Sequence, residues 1–489
     1  MKSKIWGKLK MYVEGSILVV IVYIFGLWLK IALTQIVSRF RKKKSIAFFH
    51  PYCASGGGGE RVLWVMMSDI FNWKEISNDI DDDNNIEIVI YTASGTGTKK
   101  QIFKKVKERF QITISDENAK SIKIVYINTH KWLSGDNYPL LTMICQSIAS
   151  MVVTIECLIA YTPSIFVDTT GIPFGNIVAK CIGGCSVAAY VHYPIISSDM
   201  LSQVREMRPS YNNDSRIAGS QTISKLKYYY YLIFSYCFSL SGYAVDIVMV
   251  NSSWTRKHIE DLWNIEDSNI YTVFPPCGAS YNSNNNNSNR NKERERYIVS
   301  VGQFRPEKDH RLQIDALASL FKRSDKKNNY ENVKLIMLGS TRNRDDEELA
   351  SNLLQYASSK DLSDHVEILI NKPYTEIQRW MTRGTIGIHT MWNEHFGISV
   401  VEMMAAGLIV VAHNSGGPKL DIMKPIENQI PGYLAATPEE YADQIERAFK
   451  MTDRERRTMK STAQFAVDAF CDEKFCSDFY DAIQPLLMK

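Results

Sequence analysis

The stretch Trp392-Asn-Glu-His-Phe-Gly-Ile-Ser-Val-Val-Glu-Met-Met-Ala-Ala-Gly-Leu-Ile-Val-Val-Ala-His413 decides the fold class. Residues 385–390, Thr-Ile-Gly-Ile-His-Thr, read as a buried strand, and Leu-Ile-Val-Val-Ala at 408–412 reads as another. Between them, apolar Ile398, Val401, Met404 and Ala405 recur at helical spacing, which predicts a helix over 398–406. Strand, loop, helix and strand in this order form one unit of a parallel sheet. Glu394 then lies in the loop at the carboxyl end of the first strand, and Glu402 lies about one turn into the helix. Open α/β sheets bind ligands at that end of their strands. Backbone N–H groups around Phe396, Gly397 and Ile398 open the helix and favour an anion. Carboxylates accept hydrogen bonds from paired sugar hydroxyls. A ligand with a sugar, a diphosphate and a ribose suits all three features. On spacing alone, the competing reading is a solvated helix with incidental acids.

Three further segments have the same strand-then-loop character. Ile46 to Phe49 runs into Gly56-Gly-Gly-Gly59, followed by a predicted helix over 60–69. Contiguous glycines let the backbone approach a diphosphate or acceptor without a Cβ in the way. The run is neither a Walker loop nor a dinucleotide fingerprint, since no Gly-Lys-Ser/Thr follows and the glycines are not spaced. In Tyr297-Ile-Val-Ser-Val-Gly-Gln-Phe-Arg-Pro-Glu-Lys-Asp309, Arg305 and Lys308 stand just past a strand. An Arg fork and a Lys point charge both suit phosphate oxygens. In Ala189-Tyr-Val-His-Tyr-Pro194, a strand over 187–191 delivers His192 and Tyr193 to its carboxyl end. A lone His beside an apolar run is ordinarily a satisfied core residue.

Together these stretches resemble family 4 of the retaining glycosyltransferases with two Rossmann-like domains, the GT-B architecture. The span from Glu394 to Gly407 is similar to its E-x7-E signature. The resemblance implies that Gly57 and Gly58 face the donor phosphates, and that Arg305 and Lys308 neutralise the diphosphate. It further implies that Glu394, Phe396, Gly397, Ile398 and Glu402 bind the donor, and that His192 lies beside the transferred sugar. Gln303 follows Gly302 where the family has arginine, so the cations come from Arg305 and Lys308. His50-Pro-Tyr-Cys-Ala-Ser55, Val248-Met-Val-Asn-Ser-Ser-Trp-Thr255 and Ala412-His-Asn-Ser-Gly-Gly-Pro-Lys-Leu-Asp421 narrow the likeness to the dolichol-pathway mannosyltransferases of that family. The implied donor is GDP-mannose. The implied acceptor is a trimannosyl-chitobiose on dolichyl diphosphate, which receives its fourth and fifth mannoses in α-1,2 linkage at the cytosolic face of the endoplasmic reticulum. Other early mannosyltransferases of the pathway are implied partners. Glu394, His192, Arg305 and Lys308 are the catalytic candidates; Asp168 and Tyr193 are acceptor-side candidates. Retaining transfer without a metal or other cofactor is expected. The alternatives are a family 4 enzyme with a UDP-sugar donor and a membrane-anchored sugar-nucleotide binder without catalysis.

Composition agrees with an enzyme of two domains. The chain has 489 residues, 45% of them hydrophobic. A net charge of +4 is too small to argue for nucleic acid. The nine cysteines lack the histidine partners and spacing of a zinc site, and free thiols in a reducing compartment are expected. Residues 16–37 form an apolar run, interrupted by Lys30, that is long enough to span a bilayer as a single N-terminal anchor. Basic residues flank both sides, so charge barely orients it, and cytosolic GDP-sugar argues for cytosolic catalytic domains. Sequons at Asn213, Asn251 and Asn286 would then go unused. The expected organisation is an anchor and basic flank at 1–44, an acceptor domain at 45–275 and an Asn-rich disordered insertion at 276–296. A nucleotide-sugar domain follows at 297–465, and then a tail at 466–489 that crosses back to the first domain. The apolar stretch 140–163 reads as a buried or membrane-dipping helix, and 228–250, with four successive tyrosines, as a core helix or an interfacial one. The acidic runs 81–83 and 345–348 read as solvated loops.

Overall fold

The computed structural model describes residues 44–55, 57–71, 73, 86–207, 219–278, 294–323 and 330–488, together with Gly26 and Ala32. The expected anchor, the acidic run 81–83, Gly56 and the sequons at Asn213 and Asn286 lie outside the described residues, as does most of the Asn-rich insertion.

Two parallel sheets form the frame. The first contains β1 (Ser45–Phe49), β2 (Glu87–Ala93), β3 (Ile122–Ile127), β4 (Ile165–Asp168), β5 (Ser186–Val191), β6 (Ile247–Val250) and β7 (Ile270–Thr272), in the order β3-β2-β1-β4-β5-β6-β7. The second contains β8 (Glu295–Val301), β9 (Lys334–Gly339), β10 (Val366–Ile370), β11 (Gly384–Ile388), β12 (Ile409–His413) and β13 (Tyr433–Ala435), in the order β10-β9-β8-β11-β12-β13. Strand order reverses between β1 and β4 in one sheet and between β8 and β11 in the other. Crevices open at such switch points, at the carboxyl ends of the strands. The four loops that the sequence marks, after β1, β5, β8 and β11, therefore lie at or beside the two crevices.

Both faces of each sheet are covered, so the strands read as continuous apolar runs. The pleat divides them between two cores. Ala47 and Phe49 of β1 pack with Tyr91, Phe166 and Phe234, whereas Ile46 and Phe48 pack with Trp64, Tyr190 and Phe479. The last residue of that list comes from the far end of the chain. The helix Asp472–Leu487 inserts Phe475, Phe479 and Ile483 into the first domain, against the helix Gly58–Ile70 that follows the glycine loop. Truncation of Phe479 to Ala in this core would cost about 3–5 kcal/mol.

Two expectations need correction. The insertion ends before Arg294, whose guanidinium donates to the carbonyls of Met381 (3.0 Å), Gly384 (2.7 Å) and Ala406 (2.6 Å), and β8 starts at Glu295 rather than Tyr297. Three carbonyl acceptors suffice to order a charged residue that composition alone groups with the polar run. The acidic run 345–348 is the first turn of the helix Arg344–Ser358, capped by Asn343. Carboxylates there interact favourably with the helix dipole, so the run is a helix start and not a loop.

Candidate active site

In the second domain, the loop after β8 carries Lys308 and the loop after β11 carries Glu394. The switch point brings them together: the Lys308 ammonium donates to Glu394 Oε2. His389, at the end of β11, places Nε2 3.0 Å from the same oxygen. Thr390 ties the two loops by donating its hydroxyl to the Lys308 carbonyl at 2.8 Å, and Tyr441 donates to the His389 carbonyl at 2.8 Å. Burial pushes the Glu394 carboxyl up, but Lys308 and the His389 hydrogen bond outweigh it and hold the group well below the usual carboxylate range. Glu394 is therefore a fixed carboxylate, and His389 is the partner that sequence reasoning missed. Its only signal was a histidine at a strand end, five residues before Glu394.

Glu402 is set apart from this cluster. It lies in the helix Ile398–Ala405 and accepts a hydrogen bond from the Tyr374 hydroxyl at 3.1 Å. Burial raises its carboxyl to about 7, and the Tyr374 bond and the charge of Arg61 offset only part of that rise. Gly397 begins this helix at φ +112°, a conformation that side chains strain to adopt. Gly416 and Gly417 lie against the backbone of the Glu394 loop: a Cβ on Gly416 would meet the Glu394 carbonyl at 2.2 Å. Gly417 N donates to that carbonyl at 2.7 Å. Phe396 is buried against Phe274 and Phe470, so only its backbone can face a ligand. Arg305 is half-buried, with Nε unpartnered inside the protein and Nη1 3.7 Å from Glu307. Burial and the neighbouring charge of Arg342 lower its pKa.

The opposite wall belongs to the first domain. Gly57 N donates to Glu60 Oε2 at 2.7 Å, closing the glycine loop onto its own helix. Glu60 Oε1 lies 3.8 Å from His50 Nε2, and His50 Nδ1 is 2.7 Å from the Thr169 hydroxyl. A Cβ on Gly58 would meet Ile398 Cδ1 at 2.6 Å, and one on Gly59 would meet His192 Nε2 at 3.3 Å. Gly58 thus leaves room where the two walls approach, and Gly59 leaves room for His192 within its own wall. His192 Nε2 is buried without a protein partner, and burial lowers the imidazole to about 4, so the ring is neutral at pH 7. A buried ring nitrogen without a partner beside a glycine backbone suits a hydroxyl-bearing ligand.

Contacts between the domains surround this cleft. The Tyr193 ring stacks on His395 at 5.2 Å, and His395 also lies 5.0 Å from Trp254. Asn393 donates to Asp199 at 2.7 Å, and Ser253 N donates to Asp421 at 2.9 Å. Arg61 reaches Asp472 at 2.6 Å and the Pro276 carbonyl at 3.0 Å, fastening the glycine-loop helix to both the interdomain segment and the tail. Asp168 lies at the switch point of the first sheet, close enough to His50 to feel its charge. It is buried at the end of β4, and its oxygens accept from Thr170 N (2.8 Å), the Thr170 hydroxyl (2.7 Å) and Asn176 (3.4 Å). That arrangement holds the turn after the strand.

Residues 43–263 match the family described as ALG11 mannosyltransferase N-terminus, and residues 282–465 match glycosyl transferases group 1. Among similar solved structures are a UDP-forming α,α-trehalose-phosphate synthase from Burkholderia xenovorans (TM-score 0.63, 9% identity) and a sucrose-phosphate synthase from Thermosynechococcus elongatus (TM-score 0.62, 13% identity). Each alignment covers 91% of this chain and 99% of the other, and the likeness establishes the two-domain GT-B fold. Among curated proteins, the GDP-Man:Man(3)GlcNAc(2)-PP-Dol alpha-1,2-mannosyltransferase of Xenopus tropicalis is 40% identical over 92% of this chain and 88% of its own length. The Homo sapiens protein of that name is 38% identical over 90% and 87%, and that of Dictyostelium discoideum 37% over 91% and 85%. With 37–40% identity over at least 90% of its length, this chain belongs to the family of GDP-Man:Man(3)GlcNAc(2)-PP-Dol alpha-1,2-mannosyltransferases.

Proposed function

We propose that this chain transfers mannose in α-1,2 linkage from GDP-mannose to a trimannosyl-chitobiose on dolichyl diphosphate, adding the fourth and fifth mannoses. The observation that carries the reading is the convergence of Lys308, His389 and Glu394 at one switch point, facing His192 and the glycine loop. Identity to relatives of that activity extends along nearly the whole chain.

Each residue has a role that follows from its chemistry. A lysine ammonium has three donors, and Lys308 gives one to Glu394. The others serve diphosphate oxygens, whose charge grows as the sugar leaves, and Arg305 adds a second cation. The N–H groups of Gly397 and Ile398 lie in the first turn of a helix, where N–H groups lack intrahelical acceptors, and they supply further donors. Glu394, fixed as a carboxylate, accepts from mannose hydroxyls, and Glu402 accepts from the ribose. His192, neutral and unpartnered, contacts the transferred mannose. Tyr193 lies on the acceptor side. Leaving-group charge is met by side-chain cations and helix N–H groups, so transfer proceeds without a metal. The endoplasmic reticulum membrane, with the catalytic domains in the cytosol and residues 16–37 as anchor, is the corresponding location.

A donor screen on the purified full chain tests this reading. GDP-mannose, UDP-glucose and UDP-N-acetylglucosamine are each offered with the trimannosyl lipid acceptor, with and without EDTA. Transfer from GDP-mannose alone, insensitive to EDTA, is expected. Preference for a UDP-sugar or loss of activity with EDTA would overturn the donor or the metal-free mechanism respectively.

A further inference from the structure

The carboxyl edge of the first sheet carries a row of exposed aromatic rings. Tyr193 follows β5, Tyr52 follows β1 and Trp132 follows β3, and the three are 50%, 48% and 51% exposed. Their loops leave the same edge because the strands are parallel. In the order β3-β2-β1-β4-β5, successive members of the row are two strands apart, a step of roughly 10 Å that makes the row roughly 20 Å long. It starts in the cleft, where Tyr193 stacks on His395, and ends at Trp132 beyond the edge strand. By contrast Trp64, Trp73 and Trp263 are fully buried, as tryptophan rings of a folded domain ordinarily are.

The loops that present the outer two rings are fixed at many points. After β3, three successive carbonyls each accept from a side chain. Asn137 donates to the Lys131 carbonyl at 2.6 Å, the Tyr138 hydroxyl to that of Trp132 at 2.9 Å, and Gln146 to that of Leu133 at 2.7 Å. Glu156 accepts from Asn128 N at 2.9 Å and from Thr129 N at 3.0 Å at the start of the loop. It is the single charged residue of the helix Thr142–Ala160, and its carboxylate serves this loop. After β1, Ala93 N donates to the Pro51 carbonyl at 2.8 Å and Ser55 N to the Tyr52 carbonyl at 3.0 Å. The Tyr52 ring meets His130 edge-on at 6.4 Å, two residues before Trp132, so the two loops join across β2. Loops are ordinarily the mobile part of a domain. One fixed this firmly, with its tryptophan still half exposed, presents that ring ready for a ligand.

We infer that Tyr52 and Trp132 form a sugar platform, which takes the inner, chitobiose end of the acceptor while its mannose end enters the cleft past Tyr193. The identity of that sugar chain rests on the proposed function. A pyranose ring has a face of C–H groups that packs on an aromatic ring and a rim of hydroxyls that seeks polar partners. Lys131, Asp136 and Asn137 are exposed beside Trp132 and offer donors and acceptors of both kinds. Charges of both signs next to the ring favour a hydroxylated ligand over lipid chains. A row of this length calls for an oligosaccharide, since one sugar covers one aromatic ring. Tyr52 also lies in the segment that joins β1 to the glycine loop, so the platform is continuous with the wall of the cleft.

Acceptor kinetics of the full chain in detergent test the platform. Two acceptors are compared on the same short water-soluble carrier, trimannosyl-chitobiose and a trimannoside without chitobiose. Trp132→Ala and Tyr52→Ala are each expected to raise the KM for the first acceptor about threefold to tenfold, with kcat and the KM for GDP-mannose within about twofold of wild type. Trp132→Phe should restore most of the loss, and the chitobiose-free acceptor should be unaffected by any of the three. An unchanged acceptor KM, or an equal rise on both acceptors, overturns the inference. A loss confined to a dolichyl-linked acceptor in vesicles would mean that the rings serve the membrane, and would overturn it too. A binding readout is independent of turnover. In the full chain labelled with fluorotryptophan, the fluorine resonance of Trp132 is the one missing from Trp132→Phe. It is expected to shift on titration with free trimannosyl-chitobiose and to stay in place with free mannose; no shift with the oligosaccharide overturns the platform. Wild-type chain inactive with GDP-mannose on every acceptor refutes the proposed function, and the fluorine shift still decides the platform.

Discussion

Breaking the Lys308–Glu394 pair separates the proposed electrostatics from mere proximity. The side chains of Lys308 and Glu394 are 23% and 12% exposed, so the pair is shielded but not sealed. Two unit charges ~4 Å apart at an effective dielectric of ~20 attract by ~4 kcal/mol. Partial exposure and the ordering of a long lysine chain reduce the net coupling to about 2–3 kcal/mol. A double-mutant cycle of Lys308→Met and Glu394→Gln, followed by thermal unfolding of the full chain in detergent, measures that coupling. Lys308→Met alone leaves Glu394 with His389 and should lower the midpoint of its domain by about 4–10 °C. The pH dependence has a definite sign. The folded pKa of Glu394 lies below its ordinary value of 4.5, so its contribution to stability is fully present above that value and is lost as pH falls through the folded pKa. The deficit of Lys308→Met is therefore largest at neutral pH and shrinks as pH falls toward the folded pKa. In transfer assays with GDP-mannose, kcat/KM should fall about 100-fold or more. A coupling below about 0.5 kcal/mol refutes the reasoning.

Glu402 behaves in the opposite sense. Its folded carboxyl titrates at about 7 against an ordinary 4.5, so the folded state holds the proton and stability falls as pH rises between those values; in Glu402→Gln that slope, worth up to about 3 kcal/mol, should disappear from denaturant titrations at pH 5 and pH 7. Gly59→Ala would place a Cβ 3.3 Å from His192 Nε2, and should lower kcat roughly as His192→Ala does while leaving the unfolding midpoint within a few degrees; kcat unchanged in both would remove His192 from the site. Asp421→Ala deletes the acceptor for Ser253 on the facing domain and should raise the KM for GDP-mannose about threefold to tenfold, with Asp421→Asn intermediate; an unchanged KM would show that this contact does not hold the cleft.

The parts of the site that lie on one loop were legible without a structure. Glu394, Gly397 and Glu402 occupy a strand–loop–helix whose period and glycine appear directly in the chain, and the helix forms over Ile398–Ala405, one residue short of the expectation. Arg305 and Lys308 were legible for the same reason, since a cation just past a strand lies at the carboxyl edge wherever that strand goes. His389 was not, because a histidine ending an apolar run looks like a core residue until Glu394 folds back on it. Arg61 and Tyr374 were also hidden, since the Arg61 partners Asp472 and Pro276 and the Tyr374 partner Glu402 lie far along the chain. Asp168 was legible as a carboxylate ending a strand, but its local partners Thr170 and Asn176 appear only in the folded turn.

The E-x7-E stretch by itself determined a parallel α/β unit with two acids and a helix start at its ligand edge. Periodicity and glycine placement are local properties, and local sequence suffices for them. Which atoms those acids touch was decided only by the tertiary structure. Reversal of strand order between β8 and β11 sets Lys308 and His389 on Glu394, packing within the first domain sets His192 on Gly59, and docking of the two domains brings Gly58 onto Ile398. The different titration of the two carboxylates follows from that placement. Both are shielded from solvent, and one is in direct contact with an ammonium while the other has a tyrosine hydroxyl and a more distant guanidinium.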